Sequence, residues 1–535
     1  MTEPLLSVEG LTLALPQDAD RLHAVEDVSF SVGRGEILCL VGESGSGKSV
    51  CAQALMGLLP AAIRPVGGAM RCAGRDLLAL DGEAWRSVRG REIAMIFQEP
   101  MTALNPVMRI GDQIAEAFEA HGLHAPSERW ARALDLATEV GLPDPARILR
   151  AYPHEISGGQ RQRAMIAMAL ALEPALLVAD EPTTALDVTT QAQILKLIRE
   201  LQRRRRMGVV FITHDFGVVR EIADTVVVLE KGRVVESGTA AQVLTQPRHP
   251  YTRGLLDAIP SLDPAAHAPA EAQIVCEVAG LTKTYASRSG LFGDVRVVHA
   301  AKDVSFVIHR GETLGLVGES GSGKSTVARL VVRVLDPDSG RISVGGADLS
   351  VASGPRLRQA RRRVQMVFQD PFASLNPRRR IGMSIADGPI AGGTPKSVAL
   401  DEARALLALV GLDPRAADRF PHEFSGGQRQ RIGIARALAL RPDLIVADEP
   451  VSALDVSVQK QVLDLLQDLK TRLRLSMLFI THDLHVAAQI CDRIAVMRRG
   501  EIVELRPARD LFASPEHPYT RELLAAAPRL PDRVR

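Results

Sequence analysis

The feature that most constrains the fold of this 535-residue chain is that it contains the same series of motifs twice. The octet Gly-Glu-Ser-Gly-Ser-Gly-Lys-Ser begins at Gly42 and again at Gly318. Four later motifs return after a constant 268 positions, as Ser157 does at Ser425. They are Ser-Gly-Gly-Gln-Arg-Gln-Arg, Asp-Glu-Pro, Ile-Thr-His-Asp and His-Pro-Tyr-Thr-Arg. Repeats of this length are copies of a whole domain rather than the short units of a solenoid.

The spacing of the repeats predicts two domains, residues 1–258 and 276–535, with a linker at 259–275. The linker assignment depends on the stretch from Pro260 to Ala272, which is rich in Pro and Ala and has no apolar periodicity. Because this stretch is short and carries little charge, we expect it to act only as a tether.

Composition describes a globular protein, with 46% hydrophobic and 24% charged residues. Lys+Arg 65 against Asp+Glu 63 leaves a net charge of +2, so no nucleic-acid partner is expected. No apolar run reaches the ~20 residues that span a bilayer, and the N-terminus does not resemble a signal peptide. We therefore expect a cytosolic chain that does not cross a membrane alone. The five cysteines include no CxxC pair, and we expect neither a disulfide framework nor a zinc site.

Each octet fits the pattern G-x-x-x-x-G-K-[S/T], and the first follows a buried apolar strand. Glycines in such a loop let backbone N–H groups face an anion, and the next helix adds its N-terminal dipole. We predict that the lysine reaches the β- and γ-phosphates of ATP and that the last serine holds Mg²⁺. The predicted ATP-binding residues of the loops are Gly42, Ser44, Gly45, Gly47, Lys48, Ser49, Gly318, Ser320, Gly321, Gly323, Lys324 and Ser325.

Two acidic residues follow an apolar strand in each half. Paired acids in this position are usually a helix cap or a solvated turn, but the phosphate loop upstream favours a catalytic role. Alternation along a strand sends neighbouring side chains in different directions. We assign Asp180 and Asp448 to Mg²⁺, and Glu181 and Glu449 to the general base that polarises the attacking water.

A histidine follows a further apolar strand in each half. His214 lies 34 positions after Asp180, and His482 lies 34 after Asp448. A lone histidine is more often structural, but the repeated spacing favours a catalytic contact with the γ-phosphate. The Ser-Gly-Gly-Gln motif is either an ordinary turn opening a helix or a phosphate receptor at a helix start, and the local sequence leaves both open.

The order of these motifs resembles the ATP-binding-cassette family over essentially the whole chain. The resemblance implies an α/β fold with two P-loop NTPase domains, each with a RecA-like core, an antiparallel β subdomain and an α-helical subdomain. It also implies an intramolecular cassette dimer, in which each ATP contacts one half's phosphate loop and the other half's Ser-Gly-Gly-Gln signature. The further ATP-binding residues it implies are Gln98, Ser157, Gly159, Gln160, Tyr285, Gln369, Ser425, Gly427 and Gln428.

The resemblance also implies specific roles for the two glutamines and for the tyrosine. Gln98 and Gln369 resemble the glutamine that contacts Mg²⁺ and senses a transmembrane partner in this family. Tyr285 matches the aromatic residue that stacks on adenine, whereas the corresponding place in the first half is Leu15. Stacking contributes about 1 kcal/mol, so we expect weaker nucleotide binding in the first half.

The Leu-Asn-Pro stretches after Gln98 and Gln369, and the two His-Pro-Tyr-Thr-Arg segments, are similar to those of dipeptide, oligopeptide and nickel importers. The resemblance implies an ATPase at the cytoplasmic face of the bacterial inner membrane that powers import of a small solute, with peptides as the leading class. Its implied partners are two integral-membrane permease subunits and, through them, an extracytoplasmic solute-binding protein. Plain helix capping is the alternative explanation of the His-Pro-Tyr segments.

A soluble tandem-cassette ATPase acting on ribosomes is the alternative function. Such proteins typically carry a long charged linker between their halves, and residues 259–275 do not provide one. A DNA-repair ATPase would need long coiled coils or zinc-binding cysteines, which the sequence lacks. The cargo stays open, because peptide, opine, nickel and glycoside importers share this kind of ATPase.

Overall fold

The computed structural model describes residues 3–17, 19, 21–184, 186–265, 271–288, 295–370, 374–452 and 454–527. The chain divides into two compact units, and the main boundary falls between Ala258 and Ile259. The domain limits 1–258, 259–275 and 276–535 remain a proposal. The start of the linker is more than a tether, because Leu262 packs against the core of the second unit and the Ala265 N–H donates to the carbonyl of Ala488.

The first unit alternates strands and helices. Its strands are β1 (Leu6–Ala14), β2 (His23–Val32), β3 (Ile37–Val41), β4 (Arg64–Cys72), β5 (Arg75–Asp76), β6 (Ile93–Ile96), β7 (Leu176–Asp180), β8 (Gly208–Ile212), β9 (Thr225–Glu230) and β10 (Arg233–Thr239). Its α-helices are α1 (Lys48–Leu55), α2 (Gly82–Val88), α3 (Pro100–Ala103), α4 (Ile110–Ala120), α5 (Pro126–Glu139), α6 (Pro145–Arg150), α7 (Gly158–Ala169), α8 (Val188–Arg205), α9 (Phe216–Ile222), α10 (Ala240–Thr245) and α11 (Pro250–Asp257). A 3-10 helix covers Pro153–Glu155.

Two sheets organise this unit. The core sheet has the order β10-β9-β3-β8-β7-β6, in which only β10 runs antiparallel to its neighbour. Its strands β3, β7 and β8 are buried at every position, as expected for parallel strands covered on both faces. A second, antiparallel sheet has the order β2-β1-β4-β5.

The second unit repeats these elements. Its strands are β11 (Ile274–Arg288), β12 (Val295–His309), β13 (Thr313–Val317), β14 (Ser339–Val344), β15 (Ala347–Asp348), β16 (Val364–Val367), β17 (Leu444–Asp448), β18 (Ser476–Thr481), β19 (Arg493–Arg498) and β20 (Glu501–Pro507). Its α-helices are α12 (Lys324–Val331), α13 (Gly354–Arg361), α14 (Ile381–Ala391), α15 (Lys396–Leu409), α16 (Gly426–Leu438), α17 (Val456–Leu473), α18 (Leu484–Ile490), α19 (Ala508–Ala513) and α20 (Pro518–Ala526). Two 3-10 helices cover Pro414–Asp418 and Pro421–Glu423.

The sheets of the second unit have the same orders, β12-β11-β14-β15 and β16-β17-β18-β13-β19-β20. One face of the core sheet packs with α12 and the antiparallel sheet in a single apolar cluster. The other face packs with α14 to α18 in a second cluster. The predicted fold class is confirmed in both units, including the helical insert formed in the first unit by α4 to α6.

Two general sequence expectations can be compared with the described residues. Within them, no helix is long and apolar enough to span a bilayer. All five cysteines are free thiols in buried positions, and burial raises the pKa of Cys51 to about 12. Thiols with such a high pKa are unreactive because little thiolate forms at neutral pH.

Candidate active site

The phosphate loop of the first unit joins β3 to α1, and its shape requires glycine at two positions. Gly42 has φ of 150°, and an added Cβ would lie 2.2 Å from the carbonyl oxygen of Leu229. Gly47 has φ of 104° at the start of α1, and its Cβ would lie 2.6 Å from Cγ1 of Val25. Main-chain atoms of the loop therefore lie directly against β9 of the core sheet and β2 of the antiparallel sheet.

Lys48 lies inside this loop with only 5% of its surface exposed. Its Nζ donates hydrogen bonds to the carbonyl oxygens of Gly42 at 2.7 Å and Glu43 at 2.8 Å. Lys324 makes the same two contacts, at the same distances, with the corresponding loop of the second unit. In each half the ammonium group therefore rests on the loop's own carbonyls, at the place where a phosphate is expected.

A serine and an aspartate meet beside each loop. The Ser49 hydroxyl donates to Oδ1 of Asp180 at 3.1 Å, and Ser325 donates to Asp448 at the same distance. Burial raises the pKa of Asp180 to about 6 and also raises the pKa of Asp448. A buried carboxylate of this kind is stabilised by a nearby cation, and hydroxyl and carboxylate oxygens are the ligands that Mg²⁺ takes.

Glu181 leaves β7 in a left-handed conformation, with φ of 46°. Its carboxylate accepts hydrogen bonds from Gln98 Nε2 at 2.9 Å and from the Thr184 hydroxyl at 3.0 Å, and it lies 3.1 Å from Nδ1 of His214. The glutamate and Asp180 thus contact different groups, as predicted, but the reason differs. The strand ends at Asp180, so a turn of the backbone rather than strand alternation directs the second carboxylate.

Glu181 and His214 stabilise each other's charged forms. Burial alone would raise the pKa of Glu181, but the hydrogen bond and charge of His214, together with Thr184, lower it to about 2. Burial alone would lower the pKa of His214, yet the hydrogen bond and charge of Glu181 raise it. The predicted general base is therefore an ionised carboxylate held by an ion pair.

The second unit repeats this arrangement with one difference. Glu449 accepts a hydrogen bond from Gln369 at 2.9 Å and lies 3.2 Å from Nδ1 of His482, which lowers its pKa against the opposing effect of burial. Ser452, which corresponds to Thr184, donates its hydroxyl instead to the main-chain carbonyl of Glu449 at 3.1 Å. The two general-base candidates therefore have different hydroxyl environments.

The Ser-Gly-Gly-Gln signature forms a capping box at the start of α7. The Gln160 N–H donates to the Ser157 hydroxyl at 3.3 Å, and the Ser157 N–H donates to the Gln160 side chain at 3.0 Å. A Cβ on Gly159 would lie 2.8 Å from Cγ2 of Thr190 in α8. The second unit has the same cap between Ser425 and Gln428, and a Cβ on Gly427 would lie 2.2 Å from Cγ1 of Val458 in α17. Both interpretations left open by the sequence agree with this helix start.

The two positions predicted to meet adenine have different surroundings in the structure. Tyr285 lies on β11 with 41% of its surface exposed. Leu15 instead packs against the apolar core of the first unit. Arg21, which sequence reasoning missed, donates from Nη2 to the carbonyl of Gly45 at 2.8 Å and so places a positive charge at the first phosphate loop.

The His-Pro-Tyr segment contacts the phosphate loop, which sequence reasoning also missed. His249 caps α11, because its Nδ1 accepts the N–H of Tyr251 at 3.3 Å. The Tyr251 hydroxyl then accepts the N–H of Glu43 at 3.1 Å. Helix capping is therefore a correct but incomplete explanation of the segment. The exact repetition of the segment in both halves was the available signal.

Comparison with known proteins agrees with this geometry. The profile of the family described as ABC transporter matches residues 25–184 and 301–452, which together make up more than half of the chain. The chain belongs to the ABC transporter family. It binds and hydrolyses ATP, as members of that family do. A second profile, oligopeptide/dipeptide transporter, C-terminal region, matches residues 235–288 and 503–535.

The curated relatives extend over nearly the whole chain. The glutathione import ATP-binding protein GsiA of Shigella dysenteriae serotype 1 (strain Sd197) is 49% identical, over 98% of this chain and 89% of its own length. The protein of the same name from Escherichia coli (strain K12) is 48% identical over the same shares. Among solved structures, the ATP-binding cassette MJ0796, in a post-hydrolysis state bound to ADP and Pi, is 29% identical over 44% of this chain and 99% of its own, with a TM-score of 0.39.

Proposed function

We propose that this chain powers the import of small peptides, glutathione among them, through separate membrane permease subunits. The observation that carries the proposal is that relatives 48–49% identical over 98% of the chain are named glutathione import ATP-binding proteins. The match of both halves to the C-terminal region of oligopeptide and dipeptide transporters supports the same class of cargo. The relatives give no support to the alternative of an ATPase acting on ribosomes.

The partners follow from this function. Two integral-membrane permease subunits would form the pathway, and an extracytoplasmic binding protein would deliver the solute to them. The chain would then work from the cytoplasmic face of the bacterial inner membrane, attached through the permeases.

The phosphate loops supply the ATP contacts in this proposal. Lys48 and Lys324 would contact the β- and γ-phosphates. Ser49 with Asp180, and Ser325 with Asp448, hold Mg²⁺, which when bound offsets the charge of the phosphate oxygens. The fit is supported by the oxygen ligands and by the buried carboxylates. Mg²⁺ commonly takes only one or two protein carboxylates and completes its shell with phosphates and water.

The carboxylates after β7 and β17 orient the attacking water. Glu181 and Glu449 would accept a proton from it, and His214 and His482, which lie 3.1 and 3.2 Å from these carboxylates, would contact the γ-phosphate. Gln98 donates from Nε2 to Glu181, and its side-chain oxygen is the atom that would contact Mg²⁺. The signature residues of each half would complete the ATP site of the other half, as the family resemblance predicts.

A cleft in the second unit is suited to a permease segment. Its volume is about 750 Å³, and it is lined by residues of β16, α14 and α16, among them Met366, Ile385 and Arg436, and by Phe368, which directly follows β16. Phe368 is 43% exposed, and its counterpart in the first unit, Phe97, is 41% exposed. Large exposed apolar side chains beside a concave surface are typical of protein-binding sites.

The cleft is connected to the hydrolytic residues through one peptide bond. Phe368 lines it, and the next residue, Gln369, donates to the carboxylate of Glu449 at 2.9 Å. A permease segment that enters or leaves the cleft would therefore shift Gln369 and change the surroundings of the general base.

Uptake by intact cells tests the proposal. A bacterial strain that lacks this gene should fail to accumulate radiolabelled glutathione or short peptides, and the wild-type gene should restore uptake. The gene with both Glu181→Gln and Glu449→Gln should not restore it, although the protein is made. Normal uptake without the gene would contradict the proposed cargo.

Co-purification tests the partners. The tagged chain should be recovered with two integral-membrane proteins, and Phe97→Glu together with Phe368→Glu should release them while ATPase activity of the purified chain persists. Recovery with ribosomes instead of membrane proteins would favour the alternative function.

A further inference from the structure

In each half, a tyrosine from the C-terminal part is hydrogen-bonded to the phosphate loop of the same half. The proposed function gives this tyrosine no role. The Glu43 N–H donates to the Tyr251 hydroxyl at 3.1 Å, across 208 positions of sequence. The Glu319 N–H donates to the Tyr519 hydroxyl at 3.1 Å, across 200 positions. The same contact occurs in both copies, although the sequences between the contacting residues differ in length. This agreement points to a maintained interaction.

Each tyrosine is held firmly from its own side. In the first half, the Glu236 carboxylate of β10 accepts the N–H groups of Arg248 and His249 at 2.7 and 3.1 Å, which fixes the start of α11. His249 in turn accepts the N–H of Tyr251. A hydroxyl anchored in this way can fix the position of the loop N–H that it contacts.

The second half repeats the anchor. Glu504 of β20 is 7% exposed and accepts the N–H groups of Glu516 and His517 at 2.9 and 3.0 Å. The Arg498 guanidinium lies 4.6 Å from the ring centre of Tyr519, which is only 2% exposed. Burial raises the pKa of Tyr519 to about 12, so the phenol stays neutral at physiological pH.

The tyrosine and the loop lysine hold opposite ends of one peptide unit. In the peptide that joins Gly42 to Glu43, the carbonyl accepts from Lys48 at 2.7 Å and the N–H donates to Tyr251 at 3.1 Å. With both ends bonded, the peptide plane cannot rotate. The peptide between Gly318 and Glu319 is held in the same way.

The tyrosine holds the N–H end of this peptide independently of the lysine. We propose that Tyr251 and Tyr519 are positioning residues that keep the phosphate loop in its nucleotide-accepting shape. The inference rests on the phosphate loops being the ATP sites. Neither tyrosine needs to touch the reacting atoms.

The test replaces both tyrosines by phenylalanine, which removes one oxygen from each and keeps the ring. An intramolecular hydrogen bond contributes about 0.5–1.5 kcal/mol, so the KM for ATP and the dissociation constant of a fluorescent ATP analogue should rise about two- to tenfold. The kcat at saturating ATP should change less than about twofold, because the chemical groups are untouched. Amide hydrogen exchange at Glu43 and Glu319 should become faster.

Tyr152→Phe is the matched control. Phe420 occupies the corresponding position of the second half, and both rings stack on the histidine two positions later. Its hydroxyl is therefore dispensable, and the KM for ATP should not change. If the double variant does not fold, Tyr251→Phe and Tyr519→Phe are measured singly, and each should weaken one of the two binding events.

Three outcomes separate the possible failures. If the wild-type chain binds the analogue and the tyrosine variants bind it equally well, the positioning role is wrong. A fall in melting temperature with unchanged affinity would also overturn it, because that result describes a purely structural contact. If wild-type binding does not depend on Lys48 and Lys324, the loops are not the ATP sites and the proposed site itself fails.

Discussion

Replacing Glu181 and Glu449 together by glutamine should stop ATP turnover and leave the fold and ATP binding intact. Glutamine has nearly the same size, and its amide oxygen still accepts the hydrogen bonds that Gln98 and Thr184 donate to Glu181 at 2.9 and 3.0 Å. The change removes a negative charge that lies 3.1 Å from His214. The substitution therefore separates the charge of the carboxylate from its shape.

The size of the effect follows from the site. A positioned general base contributes about 10²–10⁴-fold to the rate, so kcat of the double variant should fall by that factor. The surroundings of Glu181 lower its pKa from 4.5 to about 2. One pKa unit corresponds to about 1.4 kcal/mol, so they favour the ionised carboxylate by about 3 kcal/mol. A neutral amide does not form an ion pair with His214. The pKa of His214, which the Glu181 carboxylate raises, should therefore fall in the variant.

Three measurements check the reasoning. Phosphate release gives kcat, titration with a fluorescent ATP analogue gives affinity, and nuclear magnetic resonance follows the His214 ring as pH changes. Each single variant should retain part of the turnover, because the other half keeps its glutamate. ATPase activity near the wild-type level in the double variant would mean that the general base is misassigned. An unchanged His214 titration would mean that the ion pair does not form in solution.

Two further predictions concern the loop and the adenine contact. Gly42→Ala should destabilise the chain by about 1–3 kcal/mol and prevent ATP binding in the first half, because the new Cβ would lie 2.2 Å from the carbonyl oxygen of Leu229; calorimetry and nucleotide titration measure both effects. As its control, Gly254→Ala in α11 meets no atom within 4 Å and should raise stability by about 0.5–1 kcal/mol. Tyr285→Leu should weaken nucleotide binding in the second half by about 0.5–1.5 kcal/mol, and unchanged affinity in a titration would refute adenine stacking there.

The fold was predictable because its signals are local and occur twice. Apolar runs such as Leu176–Asp180 and Ile37–Val41 are buried parallel strands in the structure, and their hydrophobicity alone indicates burial on both faces. The phosphate loops were predictable for a similar reason, since closely spaced glycines before Lys48 and Lys324 leave few alternative conformations.

Other parts of the site depend on contacts that local sequence does not encode. The Tyr251 hydroxyl meets Glu43 only after the core sheet has assembled, since 208 positions separate them. The direction of the Glu181 side chain depends on a backbone turn with φ of 46°. An acidic residue after a strand does not by itself predict such a turn. Leu262 lies in a stretch with no periodicity, and its packing is set by the surface that it meets.

The hydroxyl difference at Thr184 and Ser452 has an evolutionary consequence. A cassette that assembles from two copies of one gene product carries every substitution in both sites at once, so each change is selected for its joint effect. Here the two copies are encoded in tandem, and a point mutation alters one of them alone. Thr184 donates to a carboxylate while Ser452 donates to the main chain. Natural selection can therefore adjust the proton affinity of the glutamate in one ATP site while the other site continues to hydrolyse ATP.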